Sequence, residues 1–164
     1  MKVKYITAAF AFAVTFGFSV LLIGIPQENY ATRTFAIRAD NETGRQISFL
    51  LQRDDDNGRE MDANFKFAPS PARFAEAVNQ YVNDSEKIDD ANLPLDFRNV
   101  WLEHLKAWRA QADFLKQSNL SDEKITEAEF LQTYRYQNAE IRRTWFDVLD
   151  VARDYGAVIP RNAY

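Results

Sequence analysis

The chain has no cysteine, only five glycines and one histidine among its 164 residues. The absence of cysteine excludes disulfides, Cys-ligated zinc or iron–sulfur sites, thiol nucleophiles and lipid attachment through a cysteine. No Gly-rich phosphate loop, Walker pattern or serine-nucleophile motif is present. A metal site would need Asp and Glu ligands at a regular spacing around one histidine, and no such spacing occurs. We therefore predict no metal, no cofactor and no catalytic residue, and we favour a non-enzymatic function.

A long uncharged run near the N-terminus is the most informative feature that the sequence does contain. Residues 5–25 carry no charge and are rich in Phe, Val, Leu and Ile. A helix of this length spans a hydrocarbon core of about 30 Å, at a rise of about 1.5 Å per residue. We therefore predict that residues 1–26 are a transmembrane anchor. A cleaved signal peptide is the alternative, but the run is long and lacks a good small-x-small cleavage site.

The charges that flank this run predict its orientation. Lys2 and Lys4 precede the run, and Glu28 and Arg33 are the first charges after it. Because positive charge stays on the cytoplasmic side, we predict a cytoplasmic N-terminus. In a bacterium this means a single-pass protein of the inner membrane with a periplasmic C-terminal domain. The net charge of −4 argues against nucleic acid as a partner.

Residues 27–68 are predicted to be a linker and a small β-meander. Apolar and polar side chains alternate in short stretches such as residues 47–51, and Asn57-Gly58 is a strong hairpin signal. An irregular or partly helical segment is the competing interpretation, because Leu50 breaks the polar face of the alternating pattern.

The acidic run from Asp54 to Gly58 also has two interpretations. A calcium loop needs acidic ligands at its first and twelfth positions, and those positions hold Arg53 and Asn64. We therefore interpret the run as an acidic turn.

Residues 69–164 are predicted to form a helical domain. Ser70 precedes a proline suited to a first helical turn, and Gly156 suits a helix end. Ser121 or Thr126 could cap the last helix, and Thr126 begins a capping-box pattern. Apolar residues recur at steps of three and four in three stripes: Phe74, Val78, Tyr81 and Val82; Phe97, Trp101, His104, Leu105, Trp108, Ala112 and Leu115; and Phe130, Tyr134, Ile141, Trp145, Val148, Leu149, Ala152 and Tyr155. A short connection joins the last two stripes. The predicted fold class is mainly α, with three C-terminal helices that include a long antiparallel pair.

The single histidine lies in a candidate functional or core cluster. His104 shares a predicted helix face with Trp101 and Trp108, and we add Trp145 from the last helix. The functional interpretation is a site for proton transfer or pH sensing, and the structural one is a core histidine with a hydrogen-bond partner. We favour the structural interpretation, because catalysis needs a second positioned group that the sequence does not identify.

Two stretches of the predicted helix pair combine aromatic, basic and small residues. The first comprises Leu93-Pro94-Leu95-Asp96-Phe97-Arg98 with Trp101, His104, Ala107 and Trp108. The second comprises Arg143-Thr144-Trp145 with Val148, Leu149, Ala152, Tyr155 and Gly156. Together they cover less than half of the chain, and they resemble a pattern found in uncharacterised exported or membrane-anchored bacterial proteins. The resemblance implies a bacterial envelope protein and carries over no catalytic residue.

The leading functional hypothesis is a protein-binding or assembly module on a membrane anchor. Two long amphipathic helices offer a surface for another helix or subunit, so we expect a membrane or envelope protein as partner. The alternative is a small-ligand sensor or a hydrolytic enzyme in which His104 acts with a C-terminal carboxylate. Asp147, Asp150 and Asp154 are the candidates for that carboxylate, although a solvated acidic helix face explains their spacing equally well.

Overall fold

A computed structural model describes residues 42–67, 70–120 and 126–161 of the chain. These residues form four helices: α1 (Glu42–Phe67), α2 (Pro71–Ser85), α3 (Leu95–Leu120) and α4 (Glu127–Asp154). The described part contains no strand, so its fold is helical throughout. None of the four helices combines the length and the apolar character that a membrane span requires. The predicted anchor, residues 1–26, lies outside the described residues.

The predicted β-meander is wrong from residue 42 onward, because residues 42–67 form the single helix α1. Helical spacing buries Ile47, Leu50 and Leu51 on one face. Phe49, which a strand would place beside Ile47 and Leu51, is instead 66% exposed. The partly helical alternative is therefore correct, and Leu50 is the residue that distinguishes the two patterns.

The acidic run is helical as well, so its interpretation as a turn is wrong. Asp55 forms an ion pair with Arg59 one helical turn later. Gln52 donates a hydrogen bond of 3.2 Å to Asp56 in the same way. Pairs at this spacing stabilise a helix, and they offset the preference of Asn-Gly for a turn.

The predicted helix ends are confirmed. Ser70 caps α2, since its Oγ accepts a hydrogen bond of 3.2 Å from the backbone N–H of Arg73. Thr126 and Glu129 form a capping box at the start of α4. Gly156 has a φ of 68°, a left-handed conformation that glycine adopts without strain, and the helix ends just before it.

The long pair α3–α4 is antiparallel, as predicted. His104 in the middle of α3 contacts Thr144 of α4, and Asp96 at the start of α3 contacts Tyr155 just beyond the end of α4. Arg109 joins α3 to α2 through hydrogen bonds to Asn79, Asn83 and Glu86, at a contact that the pattern of apolar residues does not reveal.

Two apolar clusters form the core at opposite ends of the α3–α4 pair. In the first, α1 packs on the start of α3 and the end of α4; the cluster comprises Ile47, Leu50, Leu51, Leu93, Phe97, Trp101, Leu105, Val148, Ala152 and Ala157. In the second, α2 packs on the end of α3 and the start of α4; the cluster comprises Phe74, Ala75, Val78, Tyr81, Val82, Ala112, Leu115 and Tyr134. The second half of α1 lies along α2, with Met61 against the second cluster.

Candidate functional site

The structure brings the four residues of the predicted cluster together between α3 and α4. The ring centroid of His104 lies 5.9 Å from that of Trp101, 6.5 Å from that of Trp108 and 5.0 Å from that of Trp145. The imidazole is buried, with 2% of the residue exposed, and the two flanking indoles Trp108 and Trp145 are half-buried. The cluster is therefore an aromatic packing unit with one polar ring inside it.

Both nitrogens of His104 have hydrogen-bond partners. The indole N–H of Trp108 donates to Nε2 at 3.2 Å, so Nε2 is an acceptor and the proton of the neutral ring lies on Nδ1. Nδ1 lies 3.0 Å from Oγ1 of Thr144, so its N–H donates a hydrogen bond to that hydroxyl oxygen. The Thr144 hydroxyl in turn donates to the backbone carbonyl of Glu140 at 3.0 Å. Every polar atom in this chain of hydrogen bonds is satisfied while His104 is neutral.

Burial keeps His104 neutral at physiological pH. Desolvation lowers the pKa of His104 to about 3. A hydrogen bond between the imidazole and the Ile141 backbone raises the pKa, but by less than desolvation lowers it. A second proton would also require Nε2 to lose its bond from Trp108. The arrangement stabilises the neutral ring and the α3–α4 contact, and it leaves no free nitrogen for a substrate.

The acidic residues of α4 are not partners of His104. Asp147 forms an ion pair of 2.7 Å with Arg143, and Asp150 forms one of 2.6 Å with Arg153. All three predicted acids, including Asp154, are exposed. Within the described ranges, none of these carboxylates hydrogen-bonds to His104, whose side-chain partners are Thr144 and Trp108.

A second buried polar group, which the sequence analysis missed, lies between α1 and α2. Asp54 is only 5% exposed, although it belongs to the run that the sequence predicts to be an acidic turn. Its Oδ1 accepts hydrogen bonds from the Tyr81 hydroxyl at 2.9 Å and from Ser85 Oγ at 2.6 Å. Ser85 Oγ also accepts a bond of 3.2 Å from the side-chain amide of Asn57.

Burial changes the acidity of both titratable members of this group. Desolvation raises the pKa of Asp54 to about 6, although the bonds from Ser85 and Tyr81 favour the charged form. The pKa of Tyr81 rises well above its usual value because the hydroxyl is desolvated and faces the Asp54 carboxylate. Asp54 is thus a carboxyl group that changes its charge near neutral pH, and such groups are enriched at functional sites.

A small cleft adjoins this group at the surface of the α1–α2 contact. Its volume is about 10 Å³, and it is lined by Asn57, Glu60, Met61, Asn64, Ala77, Gln80, Tyr81 and Asp84. This is room for about one water molecule, so the cleft is too small for an organic ligand. The part of the chain that the structure describes also holds no cluster of three His, Cys, Asp or Glu residues that could bind a metal ion.

The helical register of α1 is the sequence signal that could have identified Asp54. It lies three and four residues after Leu51 and Leu50, and seven after Ile47, which places it on the buried face of the helix. A carboxyl group on an apolar face needs partners from a neighbouring helix, and Tyr81 and Ser85 stand one turn apart on α2 to supply them.

Comparison with known proteins adds no further information about either buried group. No protein-family model matches the chain, and neither a curated protein nor a solved structure matches it.

Proposed function

We propose that this chain is a single-pass bacterial envelope protein whose periplasmic helical domain binds another membrane or envelope protein. One observation supports the binding role: three large apolar side chains are exposed at one end of the bundle. Phe49 is 66% exposed, Leu95 is 69% exposed and Val158 is 54% exposed. The uncharged run in residues 5–25 and the resemblance to exported bacterial proteins support the location.

Two hydrogen bonds indicate that these side chains lie at the same end. The backbone N–H of Val158 donates to Ser48 Oγ at 2.8 Å, directly beside Phe49 in the chain. The Tyr155 hydroxyl donates at 2.9 Å to the carboxylate of Asp96, which follows Leu95. The start of α1, the start of α3 and the end of α4 therefore meet here.

The same end adjoins the predicted anchor along the chain. Residues 27–41 separate the predicted anchor from the start of α1. A stretch of this length spans at most about 50 Å. A domain tethered in this way keeps Phe49, Leu95 and Val158 close to the membrane, where a membrane-bound partner is accessible. Aromatic side chains such as Phe49 are enriched in protein interfaces, and the buried core of an interface is more apolar than the rest of the surface.

The alternative function, a ligand sensor or hydrolase centred on His104, has no supporting observation. Its imidazole is buried, both of its nitrogens are hydrogen-bonded, and its side-chain partners are Thr144 and Trp108 rather than a carboxylate. A surface is therefore better supported than a cleft as the functional part of the domain.

Site-specific photo-cross-linking in native membranes tests the proposal. A photoreactive residue is placed in the full-length protein at Phe49, Leu95 or Val158, and in a control at Tyr136, which is 71% exposed on the first half of α4. We expect one adduct of the same mass from the three end positions and none from Tyr136. The adduct is then identified by mass spectrometry.

A charge substitution provides the second arm of this experiment. Leu95→Glu should abolish the adduct formed from Phe49, whereas Tyr136→Glu should leave it intact. Equal adducts from all four positions, or survival of the Phe49 adduct in the Leu95→Glu protein, would contradict a specific interface at this end. An adduct with a second copy of the chain would show that this end of the bundle self-associates, and it would contradict a different protein as partner.

A further inference from the structure

The contact between α1 and α2 contains a buried carboxyl group that has hydrogen-bond donors but no cation partner among the residues that the structure describes. Asp54 accepts bonds from the Tyr81 hydroxyl and from Ser85 Oγ, both on α2. Among the ion pairs of the described residues, none includes Asp54. An ionised carboxylate in such a place loses its hydration, and two neutral donors replace only part of what water provided.

Among the described residues, the groups around Asp54 do not supply the missing positive charge. On α1, the charged neighbour that acts on it is Asp55, which has the same sign and is itself paired with Arg59. On α2, Tyr81 and Ser85 are neutral donors.

The adjoining helices contribute apolar groups to this region. The α1 leucines that precede Asp54 on the buried face pack in a cluster with Trp101 and Leu105 of α3 and Val148 of α4. Trp108 of α3 contacts the Tyr81 ring, with centroids 4.8 Å apart.

We infer that the α1–α2 contact is a pH-sensitive device, in which protonated Asp54 holds the second half of α1 against α2 and loss of the proton loosens it. The protonated acid keeps both bonds from α2 and removes the uncompensated charge. The ionised acid gains by reaching water, which it can do when the second half of α1 separates from α2. Separation would expose Met61, Ala77 and Tyr81, which now line the small cleft between the helices.

The raised pKa of Asp54 places this change in a physiological pH range. The pKa of Asp54 is about 6 in the closed contact because the carboxyl group is desolvated, against 3.8 for a solvated aspartate. Linkage then requires the closed contact to weaken as the pH rises through this window. The two pKa values predict that the equilibrium constant for opening increases about tenfold between about pH 5 and pH 7.5.

Amide hydrogen exchange of the full-length protein in detergent tests the inference. Exchange rates are corrected for the intrinsic pH dependence, and protection is followed in residues 54–64 and 77–85. Protection in the wild type should fall about tenfold over this range. Asp54→Asn should remain protected throughout, because it keeps an acceptor for Tyr81 and Ser85 and cannot ionise. Asp56→Asn is the matched control, since Asp56 is an exposed neighbour on the same helix and should behave as the wild type does.

Identical pH profiles for the wild type and the Asp54→Asn protein would overturn the inference, as would protection that increases with pH. A structural role alone would change protection at every pH and would leave its pH dependence intact. If the variant does not fold, carbon-13 NMR titration of the Asp54 carboxyl in the wild type decides the matter. A pKa near 6 that coincides with the loss of protection supports the inference, and a pKa at or below about 4 contradicts it.

Discussion

Replacing Asp54 by Asn should make the stability of the folded protein sensitive to acid. The wild type contains two buried titratable groups, Asp54 and His104, whose effects on stability oppose each other below neutral pH. The substitution removes one of the two and leaves the other. The predicted result is a change in the pH profile of stability and not only in its magnitude.

The contribution of His104 to the stability of the folded protein decreases in acid. Its pKa is about 3 in the folded state, where it is desolvated, and 6.5 without burial. Between these values the unfolded chain binds a proton that the folded chain does not bind. The stability associated with the neutral ring is thus complete above the unfolded pKa and falls as the pH drops, by about 1.4 kcal/mol per pH unit. By about pH 4 the loss amounts to about 3 kcal/mol.

The Asp54 contribution has the opposite sign. Its pKa is about 6 in the folded state and 3.8 without burial, so the folded chain binds the extra proton in this window. The associated stability is complete below the unfolded pKa and is lost as the pH rises through 6, at the same rate per pH unit. From pH 7 to pH 4 the gain is about 2 kcal/mol, which offsets most of the loss from His104.

Urea unfolding followed by tryptophan fluorescence measures both effects, because Trp101, Trp108 and Trp145 all lie on the α3–α4 pair around His104. At pH 7 the Asp54→Asn protein should be more stable than the wild type by about 3 kcal/mol, since it avoids a buried charge. This difference should shrink by about 2 kcal/mol at pH 4.

Surface carboxylates titrate alike in both proteins and cancel in the comparison. Asp56→Asn, which changes the same charge at an exposed position of α1, should follow the wild-type profile. A difference between Asp54→Asn and the wild type that stays constant from pH 7 to pH 4 would refute the reasoning.

Three further substitutions test single contacts by the same unfolding assay. Thr144→Val removes the acceptor of the His104 N–H and should cost about 1–3 kcal/mol, whereas Thr144→Ser should restore most of it; equal losses would show that the hydroxyl is not the cause. Gly58→Ala should stabilise α1 by about 0.5–1 kcal/mol, because the added methyl would lie 4.0 Å from the Tyr81 ring in ordinary contact, and a loss would indicate strain there. Gly156→Ala should destabilise by about 1 kcal/mol because φ is 68°, and an unchanged midpoint would contradict this.

The parts of the fold that local chemistry determines could be predicted from the sequence. Ser70 and Thr126 accept hydrogen bonds from the first turns of their helices, and Gly156 ends the last one, as their residue types indicate. The antiparallel α3–α4 pair was predictable too, because its apolar stripes are long and their connection is short. These signals depend on neighbouring residues and not on distant contacts.

Helix α1 could not be predicted in this way because its local and tertiary preferences disagree. Asn57 and Gly58 favour a turn, and residues 47–51 alternate as a strand would. The helix forms because it buries Leu50 together with Ile47 and Leu51 against α3 and α4. The stabilisation from this burial comes from residues that lie far along the chain, so the pattern of neighbouring residues cannot reveal it.

The missed helix and the missed polar group have one cause. His104 was identified because it is the only histidine, a property that composition alone provides. Asp54 is one of 24 acidic residues and differs from the others only in its surroundings. Those surroundings exist only when α1 is helical, since a strand would not align Asp54 with Leu50 and Leu51 on one face. Once α1 is taken as a helix, Asp54 lies on its buried face and requires hydrogen-bond donors from a neighbouring helix. Tyr81 and Ser85, one turn apart on α2, are those donors.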